Sequence, residues 1–238
     1  MSQFTFLREI KATLRALANP AQAAVLQRFF KTAPGEYGAG DAFLGIKVPV
    51  LRGLAKQYRY AAFGTVEALL QSEFHEERLL ALLILVYAYE KAGAEQREKI
   101  ATFYWEQRHR INNWDLVDVT TPQILGDFLA DKSRAPLYQL AQSTSLWERR
   151  MAIMATLAFI RRHDFADTLR IAEMLLADGH DLIHKAVGWM LREIGKRDLA
   201  AEQGFLDRHA AKMPRTMLRY AIERFPEPLR QRYLNGAA

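Results

Sequence analysis

The sequence contains no cysteine, which removes disulfides, thiolate nucleophiles, iron–sulfur clusters and cysteine-based zinc sites together. It also lacks an apolar run long enough to span a bilayer. The greasiest stretch, Leu79 to Tyr89, is bracketed by Glu76, Glu77, Arg78, Glu90 and Lys91 and predicts a buried core helix. The N-terminal segment mixes charges into an amphipathic pattern with no uninterrupted signal core, so a cytoplasmic location is expected. Strict apolar–polar alternation between turn residues is missing as well, which argues against strands. No phosphate-binding loop, nucleophile elbow or kinase motif set occurs, and the Gly-rich stretch from Gly35 to Gly40 lacks the Lys-Ser/Thr ending of a P-loop. His180 and His184 share i,i+4 spacing but have no third ligand in view, so neither a metal nor a cofactor is expected.

What the chain does have is helical periodicity. Apolar residues recur at three-to-four spacing almost throughout its 238 residues, which predicts an all-α protein. Breaks fall at Asn19-Pro20, Pro34 to Gly45, near Gly64, Gly93, Asn112-Asn113, Ser133 to Pro136, Asp164, Gly179, Pro214 and Pro226 to Pro228. A faint internal echo sets Arg149, Arg150, Met151 and Ala152 over His184, Lys185, Ala186 and Val187, an offset of about 35 residues, near helix-pair repeat periods. Under the same offset Arg161 and Arg162 fall on Lys196 and Arg197. The expectation is one domain over 1–238, a superhelical stack of antiparallel helix pairs with a stripe of positive charge suited to a phosphate backbone. The formal net charge of +6, from 33 Lys and Arg against 27 Asp and Glu, agrees with that partner.

Chemistry concentrates in three segments. In Asn113-Trp114-Asp115-Leu116-Val117-Asp118, Asn113 is a candidate N-cap and Asp115 is explained by the helix's first turn. Asp118 is not, because it lies beyond the first turn and four residues after Trp114, on the same helical side. One reading makes Trp114 a core anchor and Asp118 the salt-bridge partner of an arginine on the next helix. The other makes them an aromatic plane and a carboxylate for catalysis. Arg149 and Arg150 follow Trp147 near the start of another helix. Lys185, Trp189, Arg192 and Lys196 lie along one face of a third, where tryptophan among cations suits stacking on nucleosides and pairing with phosphates, or equally an amphipathic face with snorkelling side chains.

These stretches, with Phe43-Leu44-Gly45-Ile46-Lys47-Val48-Pro49 and Leu125-Gly126-Asp127, resemble the AlkD-type DNA glycosylases built from HEAT-like helical repeats, in order and spacing over nearly the whole chain. The resemblance implies excision of N3- and N7-alkylated purines from double-stranded DNA by a monomer without cofactor or metal. It implies Asp118 as the catalytic aspartate, Trp114 and Trp189 as the sugar-facing tryptophans, and Arg150 as the arginine that holds the lesion-strand backbone. Lys185 and Arg192 are then further DNA-binding candidates. One departure is visible: where family members can carry a tyrosine that reaches the DNA, the nearest equivalent here is Phe29. The alternatives are a non-catalytic DNA-structure-binding protein on the same scaffold and a helical-repeat scaffold for other proteins.

Overall fold

The computed structural model describes residues 3–236, and every regular element in that range is helical. The expected all-α class is borne out, and the breaks fall close to where turn residues announce them. Asn19 accepts a hydrogen bond from the Gln22 N–H and Pro20 occupies the first turn, so α2 (Pro20–Phe29) separates from α1 (Gln3–Ala16) at that point. The break expected near Gly64 instead lies just before Phe63, and Gly64 sits inside α4.

By Cα proximity the chain divides into two compact units, residues 1–116 and 117–238. The first holds α1, α2, α3 (Val48–Gln57), α4 (Phe63–Leu70), α5 (His75–Lys91) and α6 (Ala94–Glu106). Its centre is α5, which packs against α3, α4 and α6 and is buried from Leu79 to Val86 and again at Tyr89, as the sequence requires. Near its start Glu76 accepts the backbone N–H groups of Leu44 (2.9 Å), Gly45 (2.8 Å) and Ile46 (3.2 Å), clamping the loop that leads into α3. Gly45 has φ +83°, and a Cβ there would lie 2.1 Å from the Asn19 carbonyl oxygen, so only glycine lets this loop meet the first turn of α2.

The short α7 (Trp114–Asp118) carries the boundary between the units. A π-helical turn, Pro122–Gly126, follows it. The second unit then contains α8 (Ala135–Ala141), α9 (Leu146–Ala155), α10 (Ala166–Met174), α11 (Asp181–Gly195), α12 (Leu199–His209), α13 (Arg215–Ala221) and α14 (Glu227–Leu234). The two helices that carry the sequence echo, α9 and α11, pack directly against each other. α11 also lies tightly on α13, because Gly188 admits its backbone: a Cβ at 188 would stand 2.4 Å from the Met217 carbonyl oxygen.

Candidate DNA-processing site

In the second unit Asp118 and Arg150 form a two-pronged ion pair. Arg150 Nε donates to Asp118 Oδ1 at 2.8 Å and Nη2 to Oδ2 at 2.7 Å, with the two side chains only 5% and 10% exposed. This planar fork is the strongest geometry available to a carboxylate and a cation. A third N–H, on Nη1, donates to the Leu182 carbonyl oxygen in the first turn of α11. Arg150 therefore ties the last residue of α7 to the helix that carries Lys185, Trp189 and Arg192, and it is itself buried.

The α11 candidates are all engaged. Trp189 is half-buried, and its indole N–H donates to Glu193 at 3.3 Å; Glu193 in turn holds Lys196 (2.5 Å) and Arg197 (3.2 Å). Burial opposes ionisation of Glu193, but those partners outweigh it and keep its carboxyl below the usual range. Lys185 pairs with Asp181 at 2.7 Å, Arg192 with Glu223, and Arg149 with Asp178 at 2.6 Å. Arg162, expected in the positive stripe, contacts Asp127 (2.7 Å) and Asp131 (3.2 Å). The two histidines serve the backbone: His180 caps α11 through the Leu182 N–H, and His184 contacts the Asp178 carbonyl oxygen. Among the described residues no three His, Cys, Asp or Glu side chains gather as a metal would require.

In the first unit Trp114 stacks on Phe30 (5.2 Å between centroids, 14° between planes) and meets Phe29 edge-on at 6.0 Å. Beneath it lies a buried network that sequence reasoning missed. His75 Nε2 contacts Asp115 Oδ2 at 2.8 Å and its Nδ1 faces Asp41 Oδ2 at 3.3 Å. Arg78 donates to Asp41 at 2.6 Å, and the Asn113 amide donates to it at 3.3 Å. The Asn113 carbonyl oxygen accepts the Trp114 N–H at 2.8 Å. Burial by itself would favour neutral imidazole, but the two flanking carboxylates outweigh it and lift His75 to about 9 despite Arg78. Asp41 is held low by His75, Arg78 and Asn113 against the cost of its own burial. The one signal in the sequence was four ionisable residues in a row, His75 to Arg78, opening the greasiest helix. All four are buried.

A family profile described as "DNA alkylation repair enzyme" matches residues 10–225. The chain belongs to that family. The search of curated proteins returns no match. Among solved structures the chain is similar to "Predicted DNA alkylation repair enzyme from Enterococcus faecalis" (TM-score 0.68, 18% identity, 88% of this chain and 97% of that one). It is also similar to AlkD2 from Streptococcus mutans (TM-score 0.55, 15% identity, 95% and 100%) and to smu.31 from Streptococcus mutans UA159 (0.54, 16%, 95% and 100%). At such identities the likeness establishes the all-helical fold. The family match places the chain in alkylation repair, and no described helix is long and apolar enough to cross a membrane.

Proposed function

We propose that this family member is a cytoplasmic, monomeric DNA glycosylase that hydrolyses the N-glycosidic bond of N3- and N7-alkylated purines in duplex DNA. The observation that carries this reading is the Asp118–Arg150 pair. Alkylation at N3 or N7 makes the purine cationic, so it departs as a neutral base and needs little help from a general acid. The deoxyribose gains positive charge as the bond breaks, and a fixed carboxylate offsets it. Arg150 keeps Asp118 in one orientation. A carboxylate has about four acceptor positions, so the arginine fork and an attacking water can share it. Trp114 and Trp189 offer electron-rich faces suited to a cationic nucleoside, and Lys185 and Arg192 reach phosphates by exchanging Asp181 and Glu223 for them.

The same salt bridge favours a second reading, a non-catalytic DNA-binding protein in which the pair is structural. The test is release of base from duplex DNA containing N7-methylguanine, with Asp118→Asn beside the parent. Loss of the negative charge lowers single-turnover excision about a hundredfold while DNA affinity stays near parental, since binding rests on cations. An Asp118→Asn protein that excises at the parental rate removes Asp118 from the chemistry. A parent that releases no alkylpurine leaves the non-catalytic reading.

A further inference from the structure

Three consecutive residues, Asn113, Trp114 and Asp115, are tied to one buried side chain of the first unit. His75 Nε2 faces Asp115 Oδ2 at 2.8 Å, and Asp41 Oδ2 is shared by His75 Nδ1 and the Asn113 amide, each at 3.3 Å. The Asn113 side-chain oxygen accepts the Trp114 N–H, and Asp115 Oδ1 accepts the Leu116 N–H, both at 2.8 Å. Trp114 is therefore the middle residue of a segment held at both neighbours. Its ring is held from the same source: it stacks on Phe30, which rests in turn on Phe43 and on His75, with centroids 5.1 and 4.9 Å away.

Ionised carboxylates accept hydrogen bonds and donate none, so two ring nitrogens that each face one are both satisfied only when the imidazole carries two protons. Asp41 comes from the loop ahead of α3, Asp115 from α7, and Glu76 and Arg78 from the helix of His75 itself. Arg78 holds the other oxygen of Asp41 at 2.6 Å, Glu76 is committed to three backbone N–H groups, and α2 presents Phe30. His75 and Asp115 also border a cavity of about 300 Å³, with Leu26, Phe30, Phe43 and Lys47, so the pair meets open space and can titrate in the folded protein. That cavity lies in the groove between α2 and α3. Phe29 of α2 is 62% exposed there and meets Trp114 edge-on, and Arg52 is one turn beyond Val48 on α3. Lys47 and Arg52 form no ion pair among the described residues, so the side of the unit that carries Trp114 also carries cations free for phosphate.

We propose that His75, carrying two protons, is the positioning residue for Trp114: it bridges Asp41 and Asp115 and so fixes the angle at which the indole meets DNA. The proposal rests on the reading of Trp114 as a DNA-facing residue and does not depend on Asp118 chemistry. His75 itself touches no substrate. Loss of one proton sets a nitrogen lone pair against a carboxylate oxygen, and the Asn113-Trp114-Asp115 segment relieves that repulsion by moving.

The test is the pH dependence of Trp114 fluorescence. The chain has four tryptophans, so the signal is the difference between each protein and its Trp114→Phe counterpart. Thermal melting, duplex affinity and single-turnover excision of N7-methylguanine are measured on the same preparations. The parent signal changes with a midpoint near pH 9, where His75 loses its proton. Asp115→Asn moves that midpoint down by about 1–3 pH units, the usual effect of removing a neighbouring opposite charge. Asp41→Asn moves it the same way and stands in if Asp115→Asn does not fold. At pH 8 Asp115→Asn excises about ten- to a hundredfold more slowly than the parent, with duplex affinity near parental. It recovers as the pH is lowered to 6 and the second proton returns, a recovery that lost packing would not give. Asp118→Asn keeps the parental midpoint, so a parent that excises nothing while the midpoint moves as stated sinks the glycosylase reading alone. A Trp114 signal that is flat from pH 6 to 10, or a midpoint that neither carboxylate variant moves, overturns the proposal. So does an Asp115→Asn protein that shifts the midpoint and still excises at the parental rate throughout.

Discussion

Helix α11 and the α2–α3 groove are built from the same ingredients, an aromatic ring among cations, and differ in whether those cations have partners. On α11 Lys185 and Arg192, and just past its end Lys196, each hold an acid, and Arg150, bonded to the first turn of that helix, holds Asp118. In the groove Lys47 and Arg52 hold none among the described residues. Positive charge in a sequence therefore does not measure positive charge available to a ligand. A paired cation must release its acid before it can neutralise a phosphate, whereas an unpaired one exchanges only water and counterions.

Breaking the most committed pair tests this distinction hardest. Arg150→Ala leaves the Asp118 carboxylate buried without its counter-charge, which costs about 3–5 kcal/mol of stability. A large fall in melting temperature is expected, with partial recovery in Arg150→Ala/Asp118→Asn. If Arg150→Ala melts like the parent and instead weakens DNA binding with a salt slope shallower by about one, Arg150 is a phosphate contact and belongs with the free cations.

The first unit has a committed cation of its own in His75. Its pKa rises from 6.5 to about 9 on folding, so its contribution is fully present below pH 6.5 and is lost as pH climbs through 9. It is worth on the order of 3 kcal/mol at the acid end of that window. His75→Gln should melt well below the parent at pH 6, and the gap should narrow steadily toward pH 9. Glu202, pushed up to about 8 by burial despite Arg192, adds a slope of the same sign in both proteins, so the difference curve is the measurement. A gap that stays constant with pH would mean that folding leaves the His75 pKa unchanged, and one that widens from pH 6 to pH 7.5 would mean that His75 is neutral in the folded protein.

The smallest effect separates the two kinds of surface cation directly. Each duplex phosphate neutralised by a free cation contributes about 0.9 to the salt slope, so Lys47→Ala should lower it by nearly that amount. Lys185→Ala should lower it by less than about half as much, because Lys185 already holds Asp181 at 2.7 Å. Equal losses would show that pairing in the free protein does not predict availability.

Much of the fold is legible in the sequence because helices are local: periodicity places the apolar faces, and caps and prolines place the ends. The Leu79–Tyr89 core helix and the separation of α1 from α2 at Asn19-Pro20 both follow from residues close together in the chain. The residue types of the site are also legible, since Trp114, Asp118, Arg150 and Trp189 stand in a specific order. Their bonding is not, because Asp118 and Arg150 are separated by 32 residues, and the sequence alone leaves open whether the arginine meets a phosphate or this carboxylate.

The sequence by itself determined the helical class, the positions of most breaks, the absence of thiol chemistry and membership of the alkylation-repair family. Only the tertiary structure decided which charges are compensated. It set His75 between Asp41 and Asp115, closed Arg150 on Asp118, and left Lys47 beside an apolar cavity. The reason is range: a backbone hydrogen bond in a helix joins neighbours in the chain, but an ion pair acts across space, and its strength depends on how much water the rest of the fold removes from around it.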